Sequence, residues 1–501
     1  MAGRLAAVPE AGTTGAMAPS PQRNLYLDSI RCVTVSGGRI VSIPVHSGLS
    51  CSVDSSSAPS DSYASKVTAS SAGSSCAAAA ELGAHELTKI GRRMISDGYT
   101  RRMALEYSGG SDGALETLFS ELDVDWVLQI PEGRGSRRQL QLNDLAERWV
   151  RAFIVILTCI VEEQPSSPSA RFGKASINKM LVFVDAVVSP QEEKTLSLRD
   201  LLDMYICVSS AAYNLTGTLS LSPGVQNIYS EIACSLSREG DKLNRAMYSR
   251  MEEVWALMEN DDSWAFEIRR GGGKVHPNTQ LMVDCILSIV EALGWAGNYA
   301  WFQDTTNLRR LIDENVHYLK EFLLRKSVLC SDPTLRYLFL LNNSYLVAQL
   351  FELRPGDHWG LTPQCEKYMD GYLDVSWRPV LSHIPQMAFM EGYQDVPRGH
   401  VMFCIPKTFL HTPFQRLMKT TSPLAKFDSA FWKAYQAQKF LKVPDPWLRS
   451  VLRETITKRI ISRYRDYLAY LKNHPELEKH VSHRCSSTNQ LKEMLGELFE
   501  G

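Results

Sequence analysis

The sequence predicts an all-α protein, and three observations lead there. Apolar residues recur at spacings of three and four over long stretches, helix starts are marked by a capping residue followed by proline, and strand signals are sparse. The composition fits a folded body: of 501 residues, 44% are hydrophobic and 22% charged, close to the globular average, which excludes wholesale disorder. At about 150 residues per domain the length corresponds to roughly three domains or one long multi-bundle body.

Taken in order, residues 1–83 read as a Ser/Ala-rich, mostly disordered tail. Ser55-Ser56-Ser57, Ser70-Ser71, Ser74-Ser75 and Ala77 to Ala80 offer few large side chains to bury, which leaves the entropy of ordering uncompensated. Met1 to Ala16 has no apolar core and does not read as a secretory signal. One stretch, Ile30 to Val35, then Gly37-Gly38, then Ile40 to Ile43, has the pattern of a β-hairpin, although two strands alone are marginal in water.

After Ala84 the period becomes helical. Glu86 to Tyr107 reads as a charged helix. Leu142, Leu145, Trp149, Phe153, Ile156 and Ile160 form one stripe; Leu308, Leu311, Ile312, Val316, Leu319, Phe322 and Leu323 form another. Ser222-Pro223, Asp332-Pro333, Thr362-Pro363, Ser422-Pro423 and Asp445-Pro446 each pair a side-chain acceptor with a residue that has no amide to leave unpaired. His276-Pro277 opens a further helix, and Ser197 with Asp200 reads as a capping box. Breaks fall at Gln164 to Ser169, at Arg269 to Gly273, and along an irregular stretch from Pro379 to Pro423. Short connections favour antiparallel neighbours, with sub-bundles expected over about 84–270, 271–415 and 416–501.

Lys and Arg total 54 against 55 for Asp and Glu, so no global field draws the chain to nucleic acid. The longest apolar run, Ala152 to Val161, is far shorter than the roughly 20 residues a membrane span needs. The 11 cysteines form no CxxC and read as reduced thiols of a soluble, cytosolic protein. The charge is unevenly placed: Arg416 to Gly501 carries 16 basic and 9 acidic residues, so an acidic body ends in a basic region.

Motifs for chemistry are weak. Gly109-Gly110-Ser111-Asp112-Gly113 has the letters of a hydrolase nucleophile elbow but follows a helical segment, where Gly, Ser and Asp are ordinary loop residues. Gly271-Gly272-Gly273-Lys274 lacks the Ser/Thr and earlier glycine of a phosphate loop and reads as a flexible connection. His480, His483 and Cys485 lie close together without a fourth metal ligand.

In the basic region, aromatic residues from Phe427 to Tyr470 interleave with the cations. Nucleic-acid stacking, an anionic membrane surface and a solvated basic face all remain open readings. Leu452, Ile456, Ile460, Tyr464, Tyr467 and Leu471 fall on one side of a helix, which assigns many aromatics to packing. Arg459 and Arg463 lie on one flank of that stripe, with Lys458 and Arg465 opposite.

Several segments, in order, resemble the seventy-kilodalton subunit family of the exocyst in its plant form. They are Arg93 to Gly98, His276-Pro-Asn-Thr279, Phe339 to Leu346, Val443-Pro-Asp-Pro-Trp-Leu-Arg449 with Arg453, Ile456 and Tyr464-Arg465, and the closing Leu495-Gly-Glu-Leu-Phe-Glu-Gly501. The resemblance covers about residues 84–501. It implies an elongated rod of stacked antiparallel helical bundles. It also implies a role without catalysis or cofactor: a tether for secretory vesicles, cytoplasmic and peripheral at the plasma membrane or the vesicle. The implied partners are other exocyst subunits and a phosphoinositide membrane, with small GTPases or immune proteins as further candidates and no nucleic acid. Arg484 matches a basic position that contacts phosphatidylinositol bisphosphate in the family, whereas Val481 stands where some members are basic. Arg459 and Arg463, added from helix geometry, and Lys479 complete the candidate lipid site. The usual amino-terminal helical segment is replaced by the Ser/Ala-rich tail, as in a divergent, truncated branch found in grasses. A diverged interaction scaffold, or a decoy in plant immunity, is the alternative reading. Ser462 replaces a common proline and leaves its helix straighter.

Overall fold

Helical periodicity in the sequence becomes helix in the structure, and the stripes become the buried surfaces. The computed structural model describes residues 26–33, 70–111, 113–130, 142–189, 196–216, 222–298, 305–350, 361–384, 423–473 and 487–500. Among these residues every regular element is a helix.

A first compact unit takes in residues up to 247 and 291–305. It contains α1 (Leu27–Arg31), α2 (Ser70–Ser96), α3 (Tyr99–Ser108), α4 (Gly113–Glu121), a 3-10 turn (Asp125–Gln129), α5 (Leu142–Glu162), α6 (Ser167–Val188), α7 (Leu198–Thr216) and the start of α8 (Pro223–Asn260). Helix α5 packs on α2, α6 and α7. Its stripe is centred on Trp149, which stacks on Phe153 at 4.7 Å and donates its indole N–H to the Met180 carbonyl at 2.8 Å. Ser166 caps α6; the Ser197 hydroxyl accepts from the Asp200 amide and the Asp200 carboxylate accepts in return from the Ser197 backbone, so the expected capping box is present.

One expectation for this part of the chain is corrected and two are refined. Residues 26–33 form helix α1 and its end, not the first strand of a hairpin; the rest of that pattern lies outside the described residues. Helix α2 begins at Ser70, inside the segment read as a mostly disordered tail, because alanines are the best helix formers. The helix read over Glu86 to Tyr107 is broken after Ser96 by Asp97 and Gly98, whose φ of 65° is left-handed.

The second unit comprises 248–290 and 306–501. It holds the end of α8, α9 (Trp264–Arg270), most of α10 (Pro277–Asn298), α11 (Thr306–Ser327), α12 (Pro333–Gln349), α13 (Pro363–Ser376), α14 (Arg378–Leu381), α15 (Pro423–Gln438), α16 (Pro446–Asn473) and α17 (Thr488–Gly496). The side chains of Asp332, Thr362 and Asp445 accept first-turn amides as the Pro pairs predict.

Within this unit a polar junction is buried. The His276 ring stacks on Trp264 at 3.5 Å, and its Nδ1 caps α10 by accepting the Asn278 amide at 3.2 Å. Asn343 Oδ1 accepts the His276 amide, and Asn342 donates to the carbonyls of Gly273 and Lys442. Gly272 and Gly273, at φ 60° and 82°, let the chain fold against this junction, and the Lys442 amide closes onto the Gly272 carbonyl at 3.0 Å. A Cβ on Gly272 would lie 3.1 Å from the Phe440 carbonyl. The loop read as flexible is therefore a pinned crossing.

Burial holds His276 neutral, lowering its pKa from 6.5 to about 4; neighbouring Asp261 opposes the shift, while Lys274 and Lys326 add to it. Between pH 6.5 and 4 the unfolded chain binds the proton more readily, so stability falls as pH drops through that window. From pH 7 to pH 5 the loss attributable to His276 is about 2 kcal/mol. Asn at position 276 keeps a capping acceptor and does not titrate. Urea unfolding of His276→Asn is expected to show a correspondingly smaller loss over the same interval; equal losses in both proteins would contradict the assignment.

Candidate functional site

The basic region is built on α15, α16 and α17. Helix α16 buries Leu448, Leu452, Ile456, Ile460, Ile461, Tyr464, Tyr467 and Leu471, so the predicted stripe is its packing face. Phe427 stacks on Tyr464 at 5.0 Å, and Phe431 and Tyr435 are buried on the same side of α15. Trp447 stacks on Tyr345 at 5.7 Å. Of the large aromatics described in this region, Trp432 and Phe440 are the ones exposed. The stacking series that a single-stranded nucleic acid requires is spent on the core.

The closing segment of the chain is anchored by the same helices. Leu495, Leu498 and Phe499 are buried, and Phe499 adopts φ 67°. Arg453 donates Nε to the Leu498 carbonyl at 2.7 Å and its Nη2 to the same oxygen and to Glu500. The Tyr435 hydroxyl donates to Glu497 at 2.5 Å, and that carboxylate pushes the phenol up to about 12. Arg449 donates to the carbonyls of Val443 and Pro444.

The four candidate lipid-binding residues fare differently. Lys479 and Arg484 lie outside the described residues, as do His480, His483 and Cys485. Arg459 is about half exposed but pairs with Asp370 of α13 at 2.8 Å, which neutralises it. Arg463 donates Nε and Nη2 to the Ile384 carbonyl at 3.2 and 3.0 Å, holding the end of the segment after α14. Arg459 and Arg463 do share a flank, and that flank faces neighbouring chain.

The opposite flank points away from it. Lys458, Arg465 and Lys472 are exposed and make no ion pair with a described residue. They are seven residues apart, two helical turns, which sets successive cations about 10 Å apart along one side of α16. The acidic residues exposed near them are Glu454 and Asp466. The seven-residue interval is the sequence signal that marks this line, and it is distinct from the flank that Arg459 and Arg463 define.

Elsewhere, Ser111 sits in an exposed turn that terminates α3, its amide donating to the Glu106 carbonyl at 3.3 Å; the element leading into it is a helix, not a strand. Among the described residues no helix is long and apolar enough to cross a membrane.

The Arg453 clamp gives a direct expectation. Arg453→Met keeps the aliphatic stem but leaves the Leu498 carbonyl without its charged donor, a loss of about 1–3 kcal/mol. Amide exchange should then accelerate over residues 487–500 roughly ten-fold or more, with the rest of α16 little changed. Unaltered exchange there would show that the clamp contributes nothing to docking.

Comparison with known proteins agrees with this architecture. The family described as the C-terminal part of the Exo70 exocyst complex subunit matches residues 156–497. Two relatives from Arabidopsis thaliana are similar along most of the chain. Exocyst complex component EXO70B2 is 22% identical over 432 residues, 78% of this chain and 64% of its own length. Exocyst complex component EXO70B1 is 21% identical over 443 residues, 83% and 66% respectively. The chain thus spans about two thirds of the length of these relatives. With the family match covering well over half of its residues, and His276, Thr279, Leu495, Leu498 and Phe499 of the resembling segments buried in the helical body, the chain belongs to the Exo70 exocyst subunit family.

Proposed function

We propose that the chain is an exocyst-type vesicle-tethering subunit in exocytosis, acting by contact with anionic phosphoinositide membrane and with protein partners, without catalysis. Family membership supports the tethering role, and both relatives are named as exocyst components. The observation that carries the membrane part is the exposed cationic line Lys458, Arg465 and Lys472 on α16. Charges spaced about 10 Å apart on a rigid helix can each meet a separate headgroup, contributing about 1 kcal/mol apiece. Lys479 and Arg484 follow in the sequence and are proposed as further cations of the lipid site. Arg463 contributes its charge from a fixed position, and Arg459 contributes least because Asp370 offsets it.

Vesicle co-sedimentation tests this reading. The chain should bind vesicles containing phosphatidylinositol bisphosphate more tightly than neutral ones. Affinity should fall as salt rises from about 50 to about 300 mM, which shortens the screening length by roughly 2.5-fold. Lys458→Ala/Arg465→Ala/Lys472→Ala should weaken binding by roughly 100-fold, three contributions of about 1 kcal/mol. Arg463→Ala, by contrast, should lower thermal stability before it lowers binding. Binding indifferent to the triple change and to salt would reject the membrane reading. The tethering reading stands or falls separately, on recovery of other exocyst subunits by affinity purification. A different partner set would favour the diverged scaffold.

A further inference from the structure

Within the first unit, a short piece of the chain is bound much as a separate peptide would be. Residues 26–33 contain one helical turn, α1, and a five-residue helix has no stability of its own in water. Its conformation is imposed by the surface that receives it. Tyr26 and Ile30, four residues apart, are 3% and 1% exposed, whereas Asp28 and Ser29 face solvent. This is the i, i+4 anchoring of a helical peptide in a groove.

The receiving surface reads the segment at both ends. The Tyr26 ring meets Tyr99 edge-on at 5.5 Å; its hydroxyl donates to Asp97 at 2.9 Å, and its backbone N–H donates to Glu121 at 3.1 Å. At the other end Arg31 pairs with Asp123 at 2.5 Å, and Arg151 donates to the carbonyls of Arg31 and Val33 at 3.2 and 3.0 Å. The Glu121 carboxylate therefore meets a free amide at the turn's amino end, and the Arg151 guanidinium meets free carbonyls at its carboxyl end, where Asp123 also holds Arg31. Glu121 and Asp123 are themselves buried, so they have been carried out of water to form the groove. Asp123 also holds a left-handed backbone, φ 63°, with Arg148 3.5 Å away on its other oxygen.

We propose that this groove is a peptide-docking site, closed in cis by residues 26–33, whose partner is a short amphipathic helical turn of the pattern Tyr-x-x-x-Ile-Arg on another protein. Every polar contact that selects the pattern is local to the groove, and the linker to α2 makes the cis occupant the standing competitor. Residues 34–69 are 36 in number, 11 of them serine. Because they join the segment covalently to α2, its binding is intramolecular. An effective concentration about 100-fold above the turn's own dissociation constant closes the groove about 99% of the time. A partner opens it by binding more tightly or by arriving in high local concentration. This inference is independent of the membrane reading, since it involves neither α16 nor its cations.

The test uses the full chain with a specific protease site substituted at Ser55 to Ser57, cut under native conditions, and a labelled synthetic peptide of residues 24–34 as probe. Fluorescence anisotropy should show saturable uptake by the cut chain after the released segment is washed away, and at least ten-fold weaker uptake by the uncut chain. Asp123→Asn, a substitution that tolerates the left-handed backbone, should weaken uptake by about ten-fold. It should do so much less for a probe carrying Arg31→Ala, since the pair is then already broken. No uptake by the washed, cut chain overturns the proposal. So does uptake that Asp123→Asn leaves unchanged, and so does loss of helical circular dichroism on washing, which would make residues 26–33 an integral part of the unit's core.

Discussion

The constraint that organises this protein is the need to pair the carbonyls of segments that pass over helices. Helices satisfy their own backbone; the segments between them do not. Here the donors are long polar side chains standing on helices. Asn342 reaches the carbonyls of Gly273 and Lys442, Arg463 that of Ile384, Arg449 those of Val443 and Pro444, Arg453 that of Leu498, and Arg151 those of Arg31 and Val33. Apart from Arg449, which bonds the residues leading into its own helix, each ties together segments far apart in the sequence. Charged donors make such bonds stronger than neutral ones, which is why arginine predominates.

This device explains which features can be read from sequence. An apolar period reports a buried face whatever covers it, so the stripes of α5, α11 and α16 are legible. Caps are local too, and Asp332, Thr362 and Asp445 behave as their prolines announce. What escapes is non-local. Gly272 and Gly273 look like slack until the Lys442 amide and Asn342 are brought to them from far along the chain. The Ile30 to Val33 stretch has strand propensity, and the groove overrides it by rewarding the i, i+4 placement of Tyr26 and Ile30.

The candidate site divides along the same line. Composition locates the basic region, but a count of cations does not say which of them the fold has engaged. Arg459 and Arg463 stand out in the sequence because they lie beside the packing stripe, and residues beside a packing stripe are the ones neighbouring elements can reach. One meets Asp370 and the other the Ile384 carbonyl. A cation available to an external surface has to lie opposite the stripe, as Lys458, Arg465 and Lys472 do.

Two kinds of engagement also have different electrostatic consequences. The ion pairs Arg459–Asp370 and Arg453–Glu500 cancel charge as seen from a distance beyond the pair. A bond from arginine to a carbonyl cancels none: Arg463 keeps its full charge while its position is fixed. The excess over this region is therefore a property of the folded body as well as of its solvated side chains, and it survives even where the individual arginine cannot reorient. That arrangement suits association with a broad anionic surface, which responds to summed field, better than recognition of one small ligand, which needs donors free to converge.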